Sequence, residues 1–172
     1  MALRLLGEGR LERLILVSSA AYPQPLPGFI RIAQRSRLTR WVLAMIPKGP
    51  LLRFVLRSMV FDRTTITAAQ VDGYAAPLRN EHNRLAIVQT ALQILPPGLA
   101  DHTARYREIE LPTLLLWGRH DPVVPLSVGE KLLSVLPQAR LDVLEECGHL
   151  VPEELAQDSL NVVLEYLEGS PS

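Results

Sequence analysis

Two unbroken apolar runs, Leu14-Ile15-Leu16-Val17 and Leu114-Leu115-Leu116-Trp117, stand out along this chain. Such runs predict strands covered on both faces. The first strand is placed at 14–17, the second at 111–117 and a third at 141–144. Helical periodicity separates and follows them. Residues 128–136 predict a helix between the second and third strands. Residues 152–167 predict a final helix, with Pro152 tolerated in its first turn and Glu153 and Glu154 near its positive N-terminus. Strand, helix, strand, helix at this spacing implies parallel strands joined by right-handed crossovers.

The middle of the chain reads differently. Pro23, Pro25, Pro27, Pro47, Pro50, Pro77, Pro96 and Pro97 punctuate it, so short helical pieces are expected rather than long ones. Thr67 to Gln70 forms a capping-box pattern that opens one of them. Residues 81–95 carry Leu85, Val88, Leu92 and Leu95 on one stripe and predict an amphipathic helix. Leu3, Leu5 and Leu6 read as the last turns of a helix stopped by Gly7 and Gly9. The resulting division is a partial α/β body at 1–22, a lid-like helical insertion at 23–108 and the rest of the body at 109–172.

Composition narrows the classes. The chain has 172 residues, 48% hydrophobic, with zero formal net charge. That suits a globular domain or part of one, and no basic run points to nucleic acid. No apolar run approaches the ~20 residues of a membrane span. The single cysteine, Cys147, excludes an internal disulfide and fits a reducing, cytoplasmic compartment.

The chemistry-bearing residues sit just after the later strands. Asp121 follows the second strand in Gly118-Arg119-His120-Asp121-Pro122, and His149 follows the third in Cys147-Gly148-His149. Taken alone, Asp121 reads as turn chemistry before Pro122 and His149 as a packed loop residue. Taken together they read as the acid and base of a nucleophile–histidine–acid apparatus. Gly148 is expected to free the backbone so that the histidine ring can be aimed. His120, His82 and His102 are expected at the surface. Cys147 is expected to pack in the core. No two histidines sit at metal-ligand spacing with a carboxylate, so no metal is expected.

These pieces resemble the C-terminal part of an α/β-hydrolase-fold enzyme with a helical cap. The resemblance rests on Leu-Ile-Leu-Val-Ser-Ser-Ala at 14–20, Leu-Leu-Leu-Trp-Gly-Arg-His-Asp-Pro-Val-Val-Pro at 114–125 and Glu-Cys-Gly-His-Leu-Val-Pro-Glu-Glu at 146–154. It implies an α/β fold of about three parallel strands with flanking helices and an inserted cap. It implies that Asp121 orients His149 and that His149 activates a nucleophile. By analogy of position, Val123 and Leu150 would face the acyl pocket. The intact relative would cleave an ester-like small molecule, or a carbon–carbon bond, without metal or cofactor. Family members with an aspartate nucleophile remain alternatives.

The family's nucleophile sits on a Gly-x-Ser-x-Gly turn, and this sequence holds none. Pro125-Leu126-Ser127-Val128-Gly129 is the nearest string, and there Ser127 with Glu130 reads as a capping box. Ser19, after the first strand, is a poor substitute. The chain therefore reads as N-terminally truncated and inactive by itself, lacking both nucleophile and oxyanion hole. The strand at 14–17 would keep an open apolar edge beside an exposed patch, open to self-association. A non-catalytic interaction module using that edge is the rival reading.

Overall fold

The computed structural model describes residues 11–23, 48–80, 82, 83, 86, 89, 90 and 99–169. Three parallel strands form one sheet in the order β1-β2-β3: β1 at Leu14–Val17, β2 at Thr113–Gly118 and β3 at Ala139–Leu144. Leu14 pairs with Thr113 and Val17 with Leu116. Thr113 pairs with Ala139 and Gly118 with Leu144. All of β2 is buried, as its apolar run requires of a central strand.

Alternation along the strands divides the apolar side chains between two faces. Leu115 and Trp117 join a cluster with Tyr22, Ile109, Val124, Leu132 and Leu136, backed by Leu14, Leu16 and Leu141. Helix α4, Leu126–Leu133, supplies part of that cover. Leu116 lies on the other face with Cys147 and Val151, packed by Val17, Leu144, Leu155, Val162 and Val163. That face is covered by α5, Val151–Glu154, and α6, Ala156–Glu168.

The predicted final helix is therefore two. Leu155 packs in the second cluster with a non-helical backbone, φ −130° and ψ 62°, and breaks it. The first strand has the expected bounds, whereas the second starts two residues later and the third two residues earlier than expected, because their register starts at the Thr113–Ala139 pair.

Before β2 come α1 at Lys48–Arg57, α2 at Ala68–Ala75 and α3 at Leu99–Ala104, with single 3-10 turns at Arg63–Thr65, Pro77–Arg79 and Tyr106–Glu108. The capping box at Thr67 is present in both halves. Leu56, Val60, Ile66 and Val71 make a separate small cluster against which Leu52 and Leu150 pack. The helical reading at 81–95 lies largely outside the described residues, as does the helix end at Leu3–Leu6.

Ser127 is not a helix cap. Pro125 occupies that position without a side-chain bond, and Val128 N–H donates to the Pro125 carbonyl at 2.8 Å. The helix begins one residue before Ser127, so its hydroxyl falls inside the first turn.

Candidate active site

The C-terminal ends of β2 and β3 each release a loop, and the two loops are bonded together. Arg119 N–H donates to the Leu144 carbonyl at 2.9 Å, and His120 N–H to the Cys147 carbonyl at 2.9 Å. Arg119 Nη2 also donates to Glu145 Oε1 at 2.7 Å. This close approach needs glycine at 118. A Cβ there would lie 2.6 Å from the Cys147 carbonyl oxygen and closer still to that of Gly148.

Asp121 is brought to His149 by this pairing. Its Oδ2 lies 2.9 Å from His149 Nδ1. Its Oδ1 accepts the N–H groups of Val123 and Val124, each at 2.8 Å. Trp117 Nε1 donates to the Val124 carbonyl at 2.9 Å and pins the same loop to the core. The Asp121 side chain is wholly buried, while the His149 ring is 20% exposed. A carboxylate only accepts, so the contact makes Nδ1 the protonated ring nitrogen. Nε2 then carries the free lone pair, the arrangement a general base needs.

The histidine loop is held from its other side by the segment following α1. His149 N–H donates to the Met59 carbonyl at 2.8 Å. A Cβ on Gly148 would lie 2.7 Å from Met59 O and Phe61 N and 2.8 Å from Val60 Cα. Gly148 is thus required for close backbone approach. Its φ is not in the left-handed region, so the expectation that it frees the backbone to aim the ring gives the wrong physical reason.

The other singled-out residues are placed as follows. His120 is exposed and stacks on Phe61, ring centroids 4.7 Å apart. His82 and His102 are exposed. Cys147 is fully buried, and burial pushes its thiol up to about 12, with smaller contributions from Glu154 and Asp121. Val123 is half-buried against the Trp117 cluster and Leu150 against the Leu56 cluster. Ser19 Oγ donates to the Val17 carbonyl at 3.4 Å. Among the described residues, no group of three His, Cys, Asp or Glu is placed to hold a metal, and no helix is long and apolar enough to cross a membrane.

Two features were missed in the sequence reading. Ser18 has φ 42°, is buried, and its Oγ has no partner among the described residues. Glu154 accepts three backbone N–H groups. A serine after a strand and a glutamate in a helix's first turn carry no sequence signal for either role.

Comparison with known proteins follows the same lines. Residues 1–156 match the model of the family described as serine aminopeptidase, S33. A 2-hydroxy-6-oxononadienedioate/2-hydroxy-6-oxononatrienedioate hydrolase from Pseudomonas putida is 30% identical over 117 residues, covering 68% of this chain and 41% of the relative. A 2-hydroxy-6-oxo-6-phenylhexa-2,4-dienoate hydrolase from Burkholderia cepacia is 32% identical over 121 residues, covering 70% and 42%. The chain thus spans less than half the length of these curated relatives. A crystal structure of an α/β-hydrolase-fold protein from Burkholderia ambifaria superposes with a TM-score of 0.78 at 24% identity, covering 95% of this chain and 60% of the other.

Proposed function

The chain belongs to the S33 serine aminopeptidase family of the α/β-hydrolase fold, and we propose that Asp121 and His149 are the acid and base of a hydrolytic triad. The 2.9 Å contact between His149 Nδ1 and the buried Asp121 carboxylate carries this reading. In the reaction His149 Nε2 takes the proton of a nucleophile as it attacks a carbonyl carbon. Asp121 holds the tautomer and stabilises the imidazolium, and His149 returns the proton to the leaving group. Val123 and Leu150 flank the pair as apolar wall.

The substrate is a small carbonyl compound cleaved at an ester or carbon–carbon bond. The names of the curated relatives support a 2-hydroxy-6-oxo dienoate. On this reading the nucleophile and oxyanion donors belong to polypeptide outside this chain, and residues 23–108 form a cap over the site.

The test is hydrolysis of p-nitrophenyl acetate and of a 2-hydroxy-6-oxo dienoate by the polypeptide at its native length. His149→Ala is expected to lower kcat by about 10⁶. Asp121→Asn is expected to lower it by about 10⁴, through loss of the correct tautomer. Wild-type turnover in either variant sinks the acid–base assignment. Hydrolysis by residues 1–172 alone sinks the outside nucleophile.

A second reading has one observation behind it. Among the described residues β1 pairs on one side only, which favours self-association by strand addition. Sedimentation of residues 1–172 decides it: a defined dimer supports the module, a monomer removes it.

A further inference from the structure

We propose that Glu154 is a positioning residue that fixes the backbone on both sides of His149; its meaning for catalysis rests on the acid–base reading above. Glu154 stands in the first turn after the histidine, and its carboxylate reaches back along the chain. Gly148 N–H donates to Oε1 and Oε2 at 2.9 and 3.0 Å. Leu150 N–H donates to Oε1 at 3.2 Å. Phe61 N–H, from the segment after α1, donates to Oε2 at 2.7 Å. The amide between the first two, that of His149, is taken by the Met59 carbonyl at 2.8 Å. Three successive amides around the histidine are therefore all held, two of them by one side chain.

A carboxylate suits this task. It is acceptor-only, with about four lone-pair sites on two oxygens, and its bonds to N–H groups are charge-assisted. No neutral side chain at 154 accepts from all three donors. The adjacent Glu153 makes a parallel contact by accepting from the Tyr74 hydroxyl. The two glutamates thus tie the histidine loop to both ends of one segment. Without Glu154 the N–H groups of Gly148, Leu150 and Phe61 lose their acceptor, and of the backbone bonds that tie the loop to the segment after α1 only the His149–Met59 one remains. An error of about 1 Å in a reacting group can cost about 10²-fold in rate. The ring itself is held by its Nδ1 contact with Asp121, so the backbone on either side sets the direction from which it reaches that carboxylate.

The experiment is amide hydrogen exchange by NMR on the native-length protein, wild type against Glu154→Gln. Gln keeps the shape but turns an NH₂ group towards N–H donors. Exchange at Gly148, Leu150 and Phe61 is expected to rise at least about tenfold, one lost hydrogen bond's worth. The His149 Nδ1–H resonance is expected to broaden, with Leu115 and Leu116 unchanged. Where the nucleophile is present, kcat is expected to fall about 10–100-fold with KM steady within about twofold. Unchanged exchange at the three amides overturns the proposal, as does a rise shared equally by β2, which marks general destabilisation. Wild-type kcat with loosened amides also overturns it. If wild-type protein turns over neither substrate, the triad reading fails, and the exchange and ring signals still decide whether Glu154 fixes the loop.

Discussion

The sheet and the segment 48–80 are held by different physics, and His149 lies on their boundary. Leu114, Leu115 and Trp117 of β2 have no exposed surface. The segment 48–80 buries only Leu56, Val60, Ile66 and Val71, and leaves Phe54, Phe61 and Tyr74 exposed at 69%, 45% and 41%. Its attachment to the sheet body combines three polar contacts, His149 to Met59, Phe61 to Glu154 and Tyr74 to Glu153, with the packing of Leu150 on its small cluster and the stacking of Phe61 on His120. Apolar burial at about 25 cal/mol per Å² gives a core that opens only with the whole domain. Few buried contacts and exposed hydrogen bonds give a unit that opens by itself. The histidine is thus anchored to Asp121 on the rigid side and touched on the other by the part most free to move.

Two glycines test the difference most strongly. Gly118→Ala drives a methyl group into the Cys147 backbone, at 2.6 Å from O and 2.8 Å from C, on the rigid side. We expect a loss of about 3 kcal/mol, the upper end for overpacking, seen as one cooperative unfolding at lower denaturant. Gly148→Ala presses on the backbone of Met59, Val60 and Phe61. There we expect about 2 kcal/mol, spent mostly on releasing the segment. Its amides lose protection while β2 keeps its own. Cys147, buried and with its thiol pushed up to about 12, is inert to alkylating reagents until the core opens. Faster labelling is expected in Gly118→Ala and not in Gly148→Ala. Equal labelling in both would dissolve the distinction between the two regions.

A smaller effect of opposite sign lies at Ser18, within the rigid region. Its φ of 42° is strained for a residue with a side chain, and its buried hydroxyl is unsatisfied. Ser18→Gly removes both penalties, each about 1 kcal/mol or more. Against this stands the entropy of glycine in the unfolded chain, about 0.5–1 kcal/mol. A net gain of about 1 kcal/mol is expected in denaturant titration. A loss would mean that the hydroxyl has a function in the folded state.

The sheet was legible because its signal is local. β2 is an unbroken apolar run, and an acid and a histidine each follow a strand, which parallel pairing then makes neighbours. The capping box at Thr67 was legible for the same reason, its two bonds spanning three residues. The seam on the histidine was not. Gly148 with Met59, Glu154 with Phe61 and Glu153 with Tyr74 join positions far apart in sequence, and no periodicity encodes them. Ser127 was misread because Pro125 starts the helix sooner than a serine cap would. The break at Leu155 comes from packing against Leu116, Cys147 and Val151, which overrides a helical pattern.

The finest test of the seam is its dependence on pH. The Tyr74 hydroxyl is raised from 10.0 to about 12, first by its hydrogen bond to Glu153, then by burial and by that carboxylate's charge. The folded protein therefore keeps this proton longer than the unfolded chain does. The resulting stabilisation is complete below about pH 10 and disappears as pH rises through about 12. Tyr74 is 41% exposed, so solvent screening keeps the contribution below about 1 kcal/mol. Cys147, Tyr22, Tyr106 and Tyr166 are also raised, so the wild-type curve alone does not isolate it. The difference between wild type and Tyr74→Phe does. Amide protection across α2 is expected to be higher in wild type at pH 9, with the gap closing towards pH 12. A gap that persists at pH 12 would assign the stabilisation to packing of the ring, and the seam would then rest on the Glu154 and Met59 contacts alone.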